Sequence, residues 1–314
     1  MIKQFLGAAA LAAALSGTAF AQDTKTIGVS IPAADHGWTA GVVYHAERVA
    51  EQIRKEHPGA KVIVKTSPDP ASQANAVQDL AVQGLDALVI LPTDPDQLVN
   101  AIKEVKDAGT FVAIVDRAPS VNDDSVRDLY VAGNNPALGE VAGQYIKANT
   151  PDAEVVVIRG MPIPIDQQRQ DGFDKGIAGS NVKVLDRQFG NWNRDDAFKV
   201  MQDFLTKYPK IDVVWCQDDD MAVGVLEAIE QAKRTDIKYV VAGAGSKDMI
   251  KKVMDGDKMI PVDVLYPPAM VGTAMELTAA AVFNQVPVRG TYVLDATLVT
   301  KDNAKSYYFP DSPF

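Results

Sequence analysis

The chain has 314 residues, with 31 lysines and arginines against 41 aspartates and glutamates, and a formal net charge of −10. Hydrophobic residues make up 47% and charged residues 23%, which is a globular composition and excludes a disordered or fibrous protein. The acidic balance argues against nucleic-acid binding, and the single cysteine, Cys216, excludes an internal disulfide and a cysteine-based zinc site.

The first 21 residues have the organisation of a secretory signal. A start with one positive charge, Lys3, leads into an apolar run, Phe5–Leu15, and Ala19–Ala21 has the small-x-small pattern of a cleavage site. The apolar run is shorter than the roughly 20 residues that a membrane span takes. We therefore predict a cleaved signal over residues 1–21, a mature chain that begins at Gln22, and a periplasmic location in a Gram-negative source.

From Thr26 onward, short apolar runs alternate with stretches of helical periodicity. A first series of predicted strands comprises Ile27–Ile31, Val62–Val64, Ala87–Leu91 and Phe111–Val115. A second series comprises Leu129–Val131, Glu154–Ile158, Val182–Leu185, Ile211–Trp215 and Tyr239–Ala242. Nearly continuous apolar strands separated by helices are typical of parallel sheets covered on both faces. The sequence therefore predicts two doubly wound α/β domains, connected by short hinge strands and not by a flexible linker.

Polar side chains and tryptophans follow the predicted strands, where ligands bind in open α/β sheets. The segments that follow the strands are Asp35–Trp38, Pro92–Asp94, Asp116–Arg117, Gly133–Asn135, Gln167–Arg169, Asn191–Asn193 and Gln217–Asp219. Carboxylates accept hydrogen bonds, arginine donates them and asparagine does both, as a polyhydroxylated ligand requires. Indole rings can cover the apolar face of a sugar. The pattern therefore indicates a binding site for a small polyhydroxylated molecule.

Several blocks of the sequence, taken in order, resemble the periplasmic sugar-binding proteins of the ribose/galactose type that serve ABC transporters. These blocks are Val77–Leu80, Leu91–Asp94, Val115–Arg117, Gln168–Phe173, Val200–Asp203 and Gln217–Gly224. The resemblance implies a type I periplasmic binding fold, whose two lobes are joined by a three-crossover hinge and close around the ligand. It implies a first lobe of residues 22–132 and 267–295 and a second lobe of residues 133–266 and 296–314. It also implies a monomer. Because the sequence has no H-E-x-x-H arrangement and no G-x-G-x-x-G after a strand, we expect no metal and no cofactor.

The resemblance assigns roles to several residues of the first lobe. Asp35 takes the place of an amide that bonds sugar hydroxyls, and Trp38 takes the place of a stacking aromatic ring. Asp116 and Arg117 match an aspartate–arginine pair that grips two neighbouring hydroxyls. His36 lies beside Asp35 and is a further candidate contact.

In the second lobe, Arg169 matches a ligand-binding arginine, and Trp192 matches the aromatic ring opposite Trp38. Asp218 matches an asparagine that bonds hydroxyls, with Asp219 or Asp220 expected to cap the next helix. Asn134 is a candidate contact on the hinge side. The resemblance thus implies a ligand held between two indole planes and bound at its edges by charged hydrogen bonds.

Two departures from the ribose-binding pattern argue against D-ribose as the ligand. The loop after the Tyr239–Ala242 strand reads Gly243–Gly245, where ribose binders carry a sugar-binding aspartate. A family glutamine aligns with Tyr266, and Asp263, three residues earlier, is a candidate replacement acceptor. We therefore expect a different monosaccharide, a deoxy sugar or a sugar alcohol as the ligand, and an ABC transporter permease as the partner.

The sequence also bears on three other classes of function: a signal-binding protein, a transcription regulator and an enzyme. A furanose signal of the autoinducer-2 type, or presentation of a ligand to a chemoreceptor, is compatible with the same fold. A sugar-responsive transcription regulator would need an N-terminal helix-turn-helix, where this chain has a signal. An enzyme would need a nucleophile–base constellation, and the sequence contains neither a G-x-S-x-G elbow nor an H-E-x-x-H motif. We therefore expect a binding protein and not an enzyme.

Overall fold

Two α/β lobes, each built on a six-stranded sheet, make up residues 24–314, the part of the chain that this computed structural model describes. The predicted signal over residues 1–21 lies outside the described residues. The first sheet contains β1 (Thr26–Pro32), β2 (Lys61–Ser67), β3 (Ala87–Ile90), β4 (Phe111–Val115), β5 (Leu129–Gly133) and β11 (Gly290–Leu294). The second contains β6 (Glu154–Arg159), β7 (Lys183–Phe189), β8 (Val213–Cys216), β9 (Tyr239–Ala244), β10 (Asp263–Leu265) and β12 (Leu298–Val299).

Helices cover the sheets and begin at residues that suit a helix start. They are α1 (Gly37–Glu56), α2 (Pro70–Ala81), α3 (Pro95–Asp107), α4 (Asn135–Asn149), α5 (Pro164–Ile177), α6 (Arg194–Lys207), α7 (Asp219–Ala232), α8 (Lys247–Asp255) and α9 (Met270–Phe283). The side chains of Asp69, Asp94 and Asn193 accept backbone N–H groups at the starts of α2, α3 and α6. No helix within residues 24–314 is long and apolar enough to span a membrane.

Both sheets are parallel except at β12, which pairs with β10 in the antiparallel direction. The strand orders are β11-β5-β4-β3-β1-β2 and β12-β10-β9-β8-β6-β7. The predicted fold class of two doubly wound parallel sheets is thus confirmed. In both sheets the apolar residues of the central strands are fully buried, because helices cover both faces.

One strand, β5, lies in a different sheet from the strands with which the sequence pattern groups it. The pattern places Leu129–Val131 at the start of the second series, whereas the resemblance puts residues 22–132 in the first lobe, and β5 pairs with β4 and β11 in the first sheet. An apolar run shows that a segment is a buried strand and carries no information about which strand it pairs with. The chain then passes between the sheets after β5, after β10 and after β11. The lobe boundaries given above stay a prediction.

Helices α4 and α5 pack with their backbones in contact because glycines face each other across the interface. A Cβ atom at Gly139 of α4 would overlap the carbonyl oxygen of Arg169, and one at Gly172 of α5 would overlap that of Pro136. This close approach brings Arg169 against the first residue of α4, Asn135.

We expect Gly172→Ala to lower the free energy of unfolding by about 1–3 kcal/mol, because the methyl group overpacks the α4–α5 interface. Urea denaturation measures the change. The matched control is Gly243→Ala, because the nearest atom to a Cβ at Gly243 lies 3.6 Å away, in ordinary contact. Equal losses in the two variants would contradict the close approach of α4 and α5.

Candidate functional site

A small cavity of about 20 Å³ lies between the lobes, at the carboxyl ends of strands from both sheets. It is lined by His36, Trp38, Asp116, Arg117, Ile165, Arg169, Trp192, Asp218, Ala244 and Tyr266. The structure thus brings most of the predicted site residues together at one place. A space of this size holds about one water molecule, so a sugar needs the lobes or the lining side chains to move apart.

Trp38, near the start of α1, forms one wall of the cavity and is 5% exposed. Its indole Nε1 donates a hydrogen bond to the carbonyl oxygen of Tyr266 at 2.9 Å. The rings of Trp38 and Tyr266 lie 6.0 Å apart, centroid to centroid. The wall is therefore anchored to a segment along which the chain passes between the two sheets.

Asp116 and Arg117 follow β4 and are both buried. Asp116 has a φ of +61°, and this left-handed conformation is costly for a residue other than glycine and is typical of functional sites. The Arg117 guanidinium donates to the carbonyl oxygen of Thr93 at 3.1 Å, while its Nε meets no acceptor within residues 24–314. Burial lowers the pKa of Arg117, and the nearby charge of Asp116 opposes that shift. Arg117 thus keeps a free donor in a buried position.

A chain of hydrogen bonds connects charged groups of the two lobes. The Tyr266 hydroxyl donates to Asp116 and accepts from Nδ2 of Asn135 at 3.0 Å. Oδ1 of Asn135 accepts from Nε of Arg169 at 2.7 Å. Burial, followed by the charge of Asp116, raises the pKa of Tyr266 well above its ordinary value, so the hydroxyl keeps its proton and remains a donor. The sequence analysis includes Asn135 in a segment that follows a strand but gives a role only to the neighbouring Asn134.

Trp192 forms another wall of the cavity and lies beneath two guanidinium groups. The central carbons of Arg117 and Arg169 are 5.5 Å and 5.8 Å from its ring centroid. A Cβ atom at Gly160 would overlap the indole, so the ring rests directly on backbone. Its Nε1 is buried and has no acceptor among the described residues. Like Arg117, Trp192 holds a donor that a hydroxyl ligand could satisfy.

Asp218 lines the cavity and is also the N-cap of α7. Its Oδ1 accepts from the backbone N–H groups of Asp220 at 2.9 Å and Met221 at 3.3 Å. The expectation that Asp219 or Asp220 caps this helix is wrong, because the extended residue directly before the helix is Asp218. Burial raises the pKa of Asp218 to about 6, so this carboxyl group takes up a proton in mildly acidic solution.

Asp35, Asn134 and Asp263 do not line the cavity. Asp35 accepts from Nδ1 of His36 at 2.6 Å, and this hydrogen bond lowers the pKa of Asp35 to about 2. Asn134 uses its side chain to cap α4. Asp263 is fully buried and lies three positions before Tyr266. Its carboxyl group lies beside that of Asp219 and does not face the cavity.

A second, larger space adjoins the cavity at His36 and forms the mouth of the cleft, with a volume of about 390 Å³. It is lined from one side by Asp35, His36 and Gly37 and from the other by residues that include Arg194, Asp219, Asp220, Ser246 and Lys247. The backbone N–H of Gly37 donates to the Asp220 carboxylate across this mouth. The two lobes are therefore in contact beside the cavity.

We expect Tyr266→Phe to lower the free energy of unfolding by about 1.5–3 kcal/mol, because it removes a donor to the buried Asp116 carboxylate. The matched control is Tyr130→Phe, since the Tyr130 hydroxyl donates to the uncharged carbonyl oxygen of Asp116 at 2.7 Å. Its loss should be about 0.5–1.5 kcal/mol in the same urea denaturation experiment. A larger loss in the control would contradict the charged hydrogen bond.

Comparison with known proteins identifies relatives over most of the chain. The profile of the periplasmic binding protein domain matches residues 27–285. The ribose import binding protein of Escherichia coli K12 is 30% identical over 298 residues, which cover 94% of this chain and 97% of that protein. The galactofuranose-binding protein of the same organism is 29% identical over 290 residues, which cover 88% of this chain and 87% of that protein.

Solved structures agree with this comparison. A protein of Mycobacterium smegmatis in complex with β-D-fucofuranose superposes with a TM-score of 0.80 and 27% identity, over 90% of this chain and 93% of that one. The resemblance to sugar-binding proteins that the sequence blocks carry is thereby confirmed. The chain belongs to the periplasmic binding protein family.

Proposed function

We propose that this protein is the solute-binding component of an ABC transporter. It binds a monosaccharide, a deoxy sugar or a sugar alcohol between its lobes and delivers the ligand to the permease. The observation that carries the proposal is the cavity in which Asp116, Arg117, Arg169 and two indoles converge from both lobes. The names of the relatives, which refer to ribose and galactofuranose, support a sugar-type ligand.

The buried donors and acceptors of the cavity support selection by hydroxyl pattern. Arg117 Nε and Trp192 Nε1 are donors without acceptors among residues 24–314, and the Asp116 and Asp218 carboxylates are acceptors. Hydrogen bonds to charged groups are stronger than those between neutral groups. A ligand with the wrong configuration at one carbon leaves a buried group unpaired, at a cost of about 1–3 kcal/mol.

The ligand-binding wall of the second lobe is partly apolar, which supports a ligand other than ribose. Ala244 and Ile165 line the cavity, and Ala244 stands where the resemblance places a sugar-binding aspartate. A methyl group or an unsubstituted carbon fits against such a wall. The furanoses named for two relatives support a five-membered ring and keep a furanose signal, presented to a chemoreceptor, as the alternative function.

The proposal includes the location and the mode of action of the protein. The chain is exported, its signal is removed after Ala21, and it acts in the periplasm as a monomer. It returns its ligand chemically unchanged and uses no cofactor. The relatives, which are binding proteins, support this view.

In a thermal-shift screen of aldoses, deoxy sugars and sugar alcohols, we expect one stereochemical series to raise the Tm by several degrees. A ligand at 1,000 times its Kd adds about 4 kcal/mol to the stability of the folded state. The control is Asp116→Asn, which keeps the shape of the side chain and removes an ionic acceptor, and it should lose most of the shift. If no compound shifts the wild-type protein, or if the variant shifts equally, the proposed binding site is wrong.

We expect the mature protein to begin at Gln22. The full chain is expressed in a Gram-negative host, and the N-terminus of the protein from the periplasmic fraction is sequenced. Ala21→Leu serves as the control, because a large residue at the cleavage position should leave the precursor uncut. Recovery of the wild-type chain uncut in the cytoplasm would contradict export.

A further inference from the structure

Asp219 and Asp263 form a buried pair of carboxyl groups in the second lobe. Asp219 opens α7 and is 1% exposed, and Asp263 opens β10 and is 0% exposed. Their side chains lie within hydrogen-bonding reach of each other. One oxygen, Oδ2 of Asp219, accepts the backbone N–H of Ser246. The other three oxygens make no well-formed hydrogen bond to a donor within residues 24–314.

Two other buried aspartates of this lobe, Asp166 and Asp212, have cations beside them, and this pair does not. Asp166 accepts from Nε of Arg159 at 2.9 Å, and Asp212 lies 3.1 Å from Nζ of Lys238. Within the described part of the chain, neither Asp219 nor Asp263 forms an ion pair with a lysine, arginine or histidine. Two bare carboxylates in contact repel each other strongly when water is excluded, so a proton between them removes both the repulsion and one buried charge.

Within residues 24–314, the hydrogen-bond donors that face the pair carry no positive charge. Burial has the largest effect on both carboxyl groups and raises the pKa, whereas backbone groups of Val264 and Gly245 lower the pKa of Asp263, and Ser246 lowers that of Asp219. The nearby titratable groups are Asp218, on the same turn, and the Cys216 thiol of β8, and neither can carry a positive charge. The negative charge of Asp218 raises the pKa values of Asp219 and Asp263 further. Charged or titratable groups around the adjoining cleft mouth are Asp35, His36, Arg194, Asp220, Lys247 and Asp248. Lys247 donates to the carbonyl oxygen of Ser312, and Arg194 lies 3.7 Å from Asp220.

We infer that Asp219 and Asp263 form a proton-binding site that holds one shared proton while the lobes are closed and releases it when they open. The opening step rests on the proposed function, in which the lobes move apart to admit the ligand. Asp219 lines the cleft mouth opposite Asp35, His36 and Gly37 of the first lobe. Withdrawal of these residues admits water to Asp219, and hydration favours the charged form of both carboxyl groups.

The direction of the pH effect follows from the burial of the pair. Desolvation is the leading cause that raises the pKa of Asp263 to about 7 and that of Asp219 well above its ordinary value. The folded protein therefore binds more protons than the unfolded chain from about pH 4, where free aspartates titrate, up to about pH 7. Stability contributed by the pair is present in acid and is lost as the pH rises through this range.

The test compares the wild-type protein with the double variant Asp219→Asn/Asp263→Asn in urea denaturation from pH 5 to pH 8. Asp218 and Cys216 remain in both proteins, so their titration largely cancels. We expect the unfolding equilibrium constant of the wild type, relative to that of the variant, to rise by up to about tenfold per pH unit between pH 5 and pH 7. If the unfolding equilibrium constants of the two proteins depend on pH in the same way, the pair holds no shared proton.

A second measurement keeps the inference testable if the double variant does not fold. The single variant Asp263→Asn places an amide N–H where the shared proton lies. Asp218 is also partly protonated at pH 6 and contributes a carbonyl band to both proteins, so the decisive quantity is the infrared spectrum of the wild type minus that of the variant. This difference spectrum should contain the carbonyl band of a protonated, buried carboxyl group. If it contains no such band, the shared proton is absent.

Release of the proton on opening is tested without a sugar. We expect the radius of gyration of the ligand-free wild type, from small-angle X-ray scattering, to be larger at pH 8 than at pH 5.5. The Asp263→Asn variant should show a smaller change. An equal radius at both pH values, with the infrared band present, overturns the coupling to opening. Failure of every sugar in the thermal-shift screen overturns the proposed function and leaves the shared proton standing.

Discussion

Closure of the lobes buries charged groups of both lobes at one place, and each of these groups needs a hydrogen-bond partner there. The hydrogen bond from the Tyr266 hydroxyl supplies the partner of the Asp116 carboxylate. Asp116 belongs to the first lobe and Arg169 to the second, and both are almost fully buried. The neutral side chains of Tyr266 and Asn135 connect the two charges, because Tyr266 donates to Asp116, Asn135 donates to Tyr266, and Arg169 donates to Asn135. Separation of the lobes hydrates these groups, and closure requires that each of them find a partner again.

The cavity combines apolar walls with charged edges. Its walls are aromatic rings and an apolar pair, Ile165 and Ala244, while its edges are charged side chains held by backbone carbonyls or caps. Several of these side chains are each held by a specific contact. Trp38 is held through its indole N–H, Trp192 rests on the backbone at Gly160, and Arg169 is positioned by the glycine contact between α4 and α5. These contacts hold the lining side chains in the closed arrangement, from which the lobes or the side chains must move apart to admit a sugar.

The sequence predicts the alternating elements and most of the residues around the cavity, because apolar runs mark the strands and polar residues follow their carboxyl ends. Other features depend on information that periodicity does not carry. The sheet to which β5 belongs depends on the strand with which it pairs. Asn135 belongs to the site only because of its hydrogen bonds with Tyr266 and Arg169. The burial of Asp263 depends on its packing beside Asp219, a tertiary contact that periodicity does not show either.

Several non-glycine residues around the cavity adopt backbone conformations that favour glycine. The φ angles are +61° at Asp116, +56° at Asn191, +53° at Trp192 and +115° at Ala244. Each such residue costs of the order of 1–3 kcal/mol relative to an unstrained one. Glycine would relieve this cost, and at Trp192 it would also delete a wall of the cavity. The chain is thus less stable than its fold allows, and a search for thermostable variants would tend to select changes that remove its binding site.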